Sequence, residues 1–374
     1  MLRRRQVLGG IAGVLGGSKL IAATGSSLLL GPEAKDMQWH DVTSWGVEGR
    51  GFSDTGRFFD RLPADAQGKV PGSVWELSHH AAGMAVHFQT DAAAIHLRYR
   101  LLNAELAMPH MPATGVSGMD LYGLDEMNWR WAAVFKPTAQ QCEGPIIEAL
   151  ESRMRRWRLY LPLYNGVESL SIGVPSVAKF VPVPPREERP VVFYGTSIMH
   201  GACASRPGMA WPAIVGRRLD VPTINLGFSG SGKMEASVVE RLARIDAAAF
   251  VIDCAPNMSD REITQRTVPL VRTLRAAQPH AAIVLVEDRR YSDGWIHAPR
   301  RERNELNAKA LRAAYQTLVA EGFERSAYVD AASLPGGNNA DGLTDGSHPN
   351  DHGMLAYADA LVPPLAKLLG KAIL

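Results

Sequence analysis

The 374-residue chain is 46% hydrophobic and 21% charged, which excludes a disordered or fibrous protein and leaves length for two domains with separate cores. Its formal net charge is +2. Arg3, Arg4, Arg5 and Lys19 all fall within the acid-free residues 1–25, so the remainder carries about −2 and lacks the basic footprint of a nucleic-acid binder.

Residues 1–25, "MLRRRQVLGGIAGVLGGSKLIAATG", pair a basic start with a weakly apolar, Gly-rich stretch, the layout of a secretory signal. Arg4-Arg5-Gln6-Val7-Leu8 resembles a twin-arginine export signal, so a periplasmic or secreted protein is expected. The alternative is an uncleaved membrane anchor, which Lys19 disfavours by interrupting the apolar span. No stable membrane partner is expected. From residue 36 to 182, short alternating runs such as "GMAVHFQT", "AAIHLRYR", "RWAAVFKP", "RRWRLYLPL" and "ESLSIGVP" predict an antiparallel β-sandwich of jelly-roll type. Trp129, Trp131 and Tyr122 read as sandwich core, or alternatively as a sugar-stacking surface. "VPVPPREERP", residues 181–190, reads as a stiff linker.

From residue 190 to 374 the period changes. Apolar runs "VVFYG", "PTINLG", "AAFVIDC", "AIVLVE" and "SAYVDA" alternate with amphipathic helices expected over residues 236–245, 303–319 and 354–369. That alternation predicts a parallel sheet covered on both faces, with functional residues where strands end. "NLGFSGSGKM", residues 225–234, partly fits a phosphate loop, with Asp253 at the next strand end as a metal carboxylate. Met234 replaces the hydroxyl that would reach magnesium, and a phosphate loop normally follows the first strand, which here is "VVFYG". A turn centred on Gly230 is the better reading.

Ser197 follows the first buried strand, so its hydroxyl should emerge at a strand-to-helix turn. A serine hydroxyl needs a base to become a nucleophile. Asp345-x-x-His348 supplies one, together with a carboxylate to orient it. Gly230 in its turn and Asn257 after the third strand can offer N–H groups to an oxyanion. Singly, Ser197 would be an N-cap, Asp345 a turn residue and His348 a loop histidine; their occurrence together points to acyl chemistry. His348 and His352 with Asp345 mimic a metal spacing, but Pro349 interrupts the helical face and no metal is expected. His200 is assigned to the pocket lining. Cys142, Cys203 and Cys254 lack any C-x-x-C, so buried free thiols are expected, with a Cys203–Cys254 pair as the alternative.

"GTSI", "NLGFSG", "PNM" and "DGSHPN" resemble, in order, the first, second, third and fifth blocks of the SGNH (GDSL-like) hydrolase superfamily. Upstream, Gly118 to Tyr122 resembles the Gly-x-Asp-Leu-Tyr signature of the β-rich domain preceding one branch of it. The resemblance implies a flavodoxin-like three-layer α/β/α hydrolase domain behind the sandwich. It assigns a triad of Ser197, His348 and Asp345 and an oxyanion hole of Ser197, Gly230 and Asn257, with no cofactor. Thr196 stands where the first block usually has Asp, and Ala255-Pro256-Asn257-Met258 where the third usually reads G-x-N-D. The expected function is an exported esterase on short acyl esters, with a small-molecule or carbohydrate substrate and sugar acetyl esters favoured. Alternatives are a lipase, lysophospholipase or thioesterase on longer chains, a carbohydrate-binding protein with a degenerate hydrolase domain, and a nucleotide hydrolase.

Overall fold

The computed structural model describes residues 36–337 and 340–374; the signal-like residues 1–25 lie outside these. The first half carries strands β1 (Met37–Asp41), β2 (Ala85–Thr90), β3 (Ile95–Leu101), β4 (Met119–Asp125), β5 (Asn128–Phe135), β6 (Gln141–Ile147), β7 (Arg155–Tyr160), β8 (Val167–Pro175) and β9 (Phe180–Val183), with short helices α1 (Gly72–Ser78) and α2 (Ala113–Val116). Two antiparallel sheets result, in the orders β1-β8-β3-β6 and β5-β4-β7-β2-β9. Side-chain alternation dictates their packing: Ile95, Leu97, Tyr99 and Leu101 of β3 face inward while Arg98 and Arg100 face solvent. Phe88, Leu121, Trp157 and Leu159 of the other sheet meet the inward face, giving a β-sandwich.

The expected linker is more structured than its composition implies. Residues 181–183 belong to β9 and pair with β2, Pro182 opposite Phe88. β9 is an edge strand, where a proline's missing N–H disrupts no second ladder. Arg186 then grips the buried Glu48 carboxylate through Nε and Nη2, both at 2.7 Å.

The second half continues with β10 (Val191–Gly195), α3 (Ser197–His200), α4 (Trp211–Arg218), β11 (Thr223–Gly227), α5 (Ala236–Leu242), β12 (Ala249–Asp253), α6 (Asp260–Ala277), β13 (Ala282–Val286), α7 (Ala298–Ala320), β14 (Ser326–Val329) and α8 (Asp351–Leu369). Its strands form a parallel sheet in the order β11-β10-β12-β13-β14, the flavodoxin-like arrangement. Every residue of β10 to β13 is buried, as a sheet covered on both faces requires. Phe193, Val251 and Val284 face α4 and α8; Tyr194, Ile252 and Leu285 face α5, α6 and α7. Helix α7 starts at Ala298, five residues before the expected start at residue 303, because Pro299 suits a first helical turn.

The second core is not built by the second half alone. Phe52, Leu62, Ala66, Val70 and Val74 from the first half pack into the face carrying α5 and α6. The buried Arg61 donates to the carbonyls of Asn225 (3.0 Å), Gly227 (2.8 Å) and Leu77 (2.6 Å). The described residues form one compact unit. Among them, no helix is long and apolar enough to cross a membrane.

Candidate active site

Gly195 ends β10 so close to β12 that a Cβ there would lie 2.4 Å from Asp253 O. Thr196 follows as an N-cap whose Oγ1 accepts from Ile198 N (3.3 Å), and Ser197 opens α3 with 6% of its surface exposed. The loop before α8 brings the other members. Asp345 Oδ1 accepts from Ser347 N (3.0 Å) and His348 N (2.8 Å), a local turn typical of aspartate. That turn sets Asp345 Oδ2 2.7 Å from His348 Nδ1, while His348 Nε2 lies 2.8 Å from Ser197 Oγ. Burial pushes the Asp345 carboxyl up, but the hydrogen bonds from the His348 ring and from the backbone outweigh it and hold the group below its usual range. A charged carboxylate facing Nδ1 favours the tautomer whose Nε2 can accept the serine proton.

The Gly230 turn lies beside this line. Phe228 N donates to Gly195 O (2.9 Å), fastening the turn to the end of β10. Gly230 has φ +69° with open space where a Cβ would sit, whereas a Cβ on Gly232 (φ +67°) would lie 2.0 Å from Gly195 O. Glycine is therefore needed at 230 for backbone sign and at 232 for both sign and room. Asn257, at the end of a 3₁₀ turn after β12, donates its amide to Ser231 O (2.6 Å). The structure thus brings together the Gly230 turn and Asn257, the two groups assigned to an oxyanion site beyond Ser197. Lys233 only starts the next turn, its N–H donating to Glu235 (2.7 Å), and Asp253 is fully buried rather than open to a metal.

His200 does not line a pocket. Its ring is 0% exposed, stacked on Tyr164 at 4.1 Å between centroids and bonded through Nε2 to Leu163 O (2.7 Å). Its position at the end of the single turn of α3 carries it into the core between the halves, and burial keeps its pKa well below the usual histidine value. The histidine that does approach the site is His110, from the first half, with its ring centroid 5.9 Å from that of His348. Nothing local in "MPHMP" marks it, since only the docking of the two halves brings it there. All three cysteines are free and buried. Cys203, Asp345 and His348 are the one group among the described residues whose metal-ligating atoms lie within 4.8 Å of one another. Both ring nitrogens of His348 are already engaged, however, and burial lifts the Cys203 thiol to about 11.

The Gly-x-Asp-Leu-Tyr stretch acquires a mechanical meaning. Asp120, fully buried in β4, accepts from Arg206 Nη1 (2.8 Å), Gly208 N (2.8 Å) and Trp131 Nε1 (2.9 Å). Tyr122 accepts from the same Arg206 (2.6 Å) and lies under Arg217, 4.2 Å from its ring centroid. Arg206 and Gly208 belong to the segment between α3 and α4, so the signature clamps the sandwich to the chain leaving Ser197. None of the three residues read as sandwich core lies there: Tyr122 is buried, but against Ala213 of α4 on the sheet's other face, Trp129 is half-buried, and Trp131 is 51% exposed.

Comparison with known proteins places this arrangement. The GDSL-like lipase/acylhydrolase family matches residues 188–366, and the N-terminus of SGNH-hydrolase-type esterases matches residues 37–180. A crystal structure from Bacteroides ovatus, described as a GDSL-like lipase, is 31% identical, covers 90% of this chain and 99% of its own, and superposes with a TM-score of 0.85. The chain belongs to the GDSL-like lipase/acylhydrolase family. This GDSL-like hydrolase shares its two-part fold with the salicylyl-acyltransferase SsfX3 of a tetracycline biosynthetic pathway (TM-score 0.71, 18% identity, 90% of this chain and 98% of that one). It also shares the fold with a family two carbohydrate esterase from Cellvibrio japonicus (TM-score 0.58, 14% identity, 89% and 98%). No match was found among curated proteins. Within the hydrolase, both departures from the usual blocks have local accounts: Thr196 serves as the N-cap of α3, and Met258 is buried at 1% exposure.

Proposed function

We propose that this GDSL-like hydrolase is an exported serine esterase cleaving short acyl esters of carbohydrates. The observation that carries the reading is the unbroken line from Ser197 Oγ through His348 to Asp345, at 2.8 and 2.7 Å. Ser197 Oγ attacks the ester carbonyl carbon while His348 Nε2 takes its proton. The carbonyl electron pair moves to oxygen, where the N–H groups of Ser197 and Gly230 and the Asn257 amide stabilise it. Collapse expels the alcohol, which takes the proton from His348; water then repeats the sequence on the acyl-enzyme and frees the acid. Apart from the hydrolytic water, each step is served by side-chain and backbone groups of the chain itself.

Two features support a carbohydrate alcohol. Tyr291 and Trp295, the latter 79% exposed, line a cavity of ≈ 340 Å³, and aromatic faces with polar neighbours suit sugar rings. Ser292 N donates to Gly346 O (3.2 Å), joining that wall to the loop that carries His348. Export rests on the Arg4-Arg5 segment.

The test is hydrolysis of p-nitrophenyl esters from acetate to palmitate, with and without EDTA, by the mature protein and Ser197→Ala. The expected result is fastest cleavage of acetate, no effect of EDTA, and a loss of about 10³-fold or more in Ser197→Ala. Fastest cleavage of palmitate would move the assignment to a lipase. Equal activity in Ser197→Ala would overturn the catalytic assignment.

A further inference from the structure

Asp288 lies just past β13, its side chain fully buried, and its two oxygens serve different parts of the site. One accepts from Arg289 Nη1. Arg289 in turn donates from Nε to Ser347 O (3.0 Å) and from Nη2 to Ser347 Oγ, the residue immediately before His348. The other oxygen accepts from Arg303 Nη1 (2.6 Å) and Asn307 Nδ2 (3.2 Å), both on α7. Arg303 Nη2 donates to Pro256 O and Met258 O, each at 2.9 Å, and Asn307 Nδ2 to Met258 O (3.1 Å). Those carbonyls flank Asn257.

One carboxylate therefore anchors two loops that share no direct backbone pairing, the base loop and the turn carrying Asn257. A buried carboxylate is costly to desolvate and needs its partners. The arrangement is rigid because charge-assisted bonds in a dry interior are strong and directional. We propose that Asp288 is a positioning residue that fixes the His348 loop relative to the Asn257 turn, through Arg289 on one side and Arg303 with Asn307 on the other. The proposal rests on the triad and oxyanion assignment made above. Hydrolysis needs His348 Nε2 at the serine and the Asn257 amide at the developing oxyanion at the same moment, and misplacement of about 1 Å costs on the order of 100-fold. The Asp288 pair of arms sets that separation.

The experiment compares Asp288→Asn and Arg303→Gln with wild type, using p-nitrophenyl acetate kinetics, urea melts and the downfield imidazole N–H proton resonance of His348. Arg303→Gln weakens only the arm to the Asn257 turn, where Asn307 remains, and the Arg303 side chain is 31% exposed, so the variant remains informative if Asp288→Asn does not fold. The expected result is a fall in kcat of about 10–100-fold with KM nearly unchanged. In an Asn257→Ala background the Arg303→Gln effect should vanish, because its target is already gone. Asp288→Asn should broaden or shift the His348 resonance, whereas Arg303→Gln should leave it in place. Variants that lose stability but keep kcat, or an Arg303→Gln effect that adds fully to Asn257→Ala, overturn the proposal. If no ester is cleaved by the wild type, the catalytic reading fails separately, and the His348 resonance still decides whether Asp288 holds the base loop.

Discussion

Asp253 ends β12 with both carboxylate oxygens buried and without a hydrogen-bond partner among the described residues. Burial, together with the neighbouring negative charge of Asp288, pushes its pKa up to about 8, against the opposing pull of Arg289. In the unfolded chain the same group ionises near 4. Between those values the unfolded state releases a proton that the folded state keeps, so ΔG of unfolding falls as pH rises. The contribution is fully present below pH 4, declines through the window to pH 8, and levels off above it. Asp253→Asn removes the titration. The variant should therefore gain stability relative to wild type as pH rises from 5 to 8, by at most about 1.4 kcal/mol per pH unit. Urea melts of both proteins at pH 5, 6.5 and 8 read this directly, and a difference that does not change with pH would refute the buried neutral acid. A reading of the sequence that took Asp253 as a metal carboxylate fails for the same reason, since the side chain faces the interior and not the crevice.

At the scale of elements, Asp120 shows why a motif can be legible while its purpose is not. Ser197, Asp345 and His348 could be read because each lies in a short local pattern at a strand end or before a helix. The Gly118 to Tyr122 signature could be read as well, but the partner that gives it meaning, Arg206, lies 86 residues away and reaches it only when the sandwich docks. His110 and Arg61 escaped for the same reason, as no spacing rule links them to His348 or to the carbonyls of β11. His200 went wrong in the opposite direction: proximity to Ser197 in sequence suggested the pocket, and one turn of α3 rotated it into the core. The clamp can be weighed. Burial pushes the Asp120 carboxyl above its ordinary value, with Arg206 and the hydrogen bonds from Gly208 and Trp131 pulling against it, so the anion depends on keeping those partners. Asp120→Ala leaves Arg206, 19% exposed at its side chain, with only the Tyr122 hydroxyl. The expected loss is about 3 kcal/mol, read from denaturant melts, together with lower kcat because the segment leaving Ser197 is released. Unchanged stability in Asp120→Ala would mean that the three bonds to Asp120 are incidental.

For the whole molecule, the period changes near residue 190, between the last sandwich strand β9 and the first parallel strand β10, yet packing does not respect that border. The helical face with α5 and α6 is completed by Phe52, Leu62, Ala66, Val70 and Val74. The opposite face takes in Ala82, Met111, Val116, Leu163 and Tyr164 from the first half. Arg61, 1% exposed, satisfies two carbonyls at the edge strand β11 where the two halves exclude water, and that burial lowers its pKa to about 9. Periodicity could not reveal this, because alternation reports which face of a strand is apolar and not which half of the chain covers it. A protein beginning at residue 186 would retain Ser197, Gly230, Asn257, Asp345 and His348 but would uncover apolar surface on both faces of its sheet. Burial of each of the eight larger side chains among them is worth roughly 1.5–3 kcal/mol, so their loss exceeds the few kcal/mol by which domains are stable. The truncated protein should be insoluble, or else compact without a cooperative melt and with strong binding of a hydrophobic dye. A cooperative transition with undiminished cleavage of p-nitrophenyl acetate would show that the second half folds alone and that the first half only borders the site. The expected failure would instead make the sandwich part of the scaffold, and would let its Asp120 and His110 bear on the reaction proposed for Ser197 in the other half.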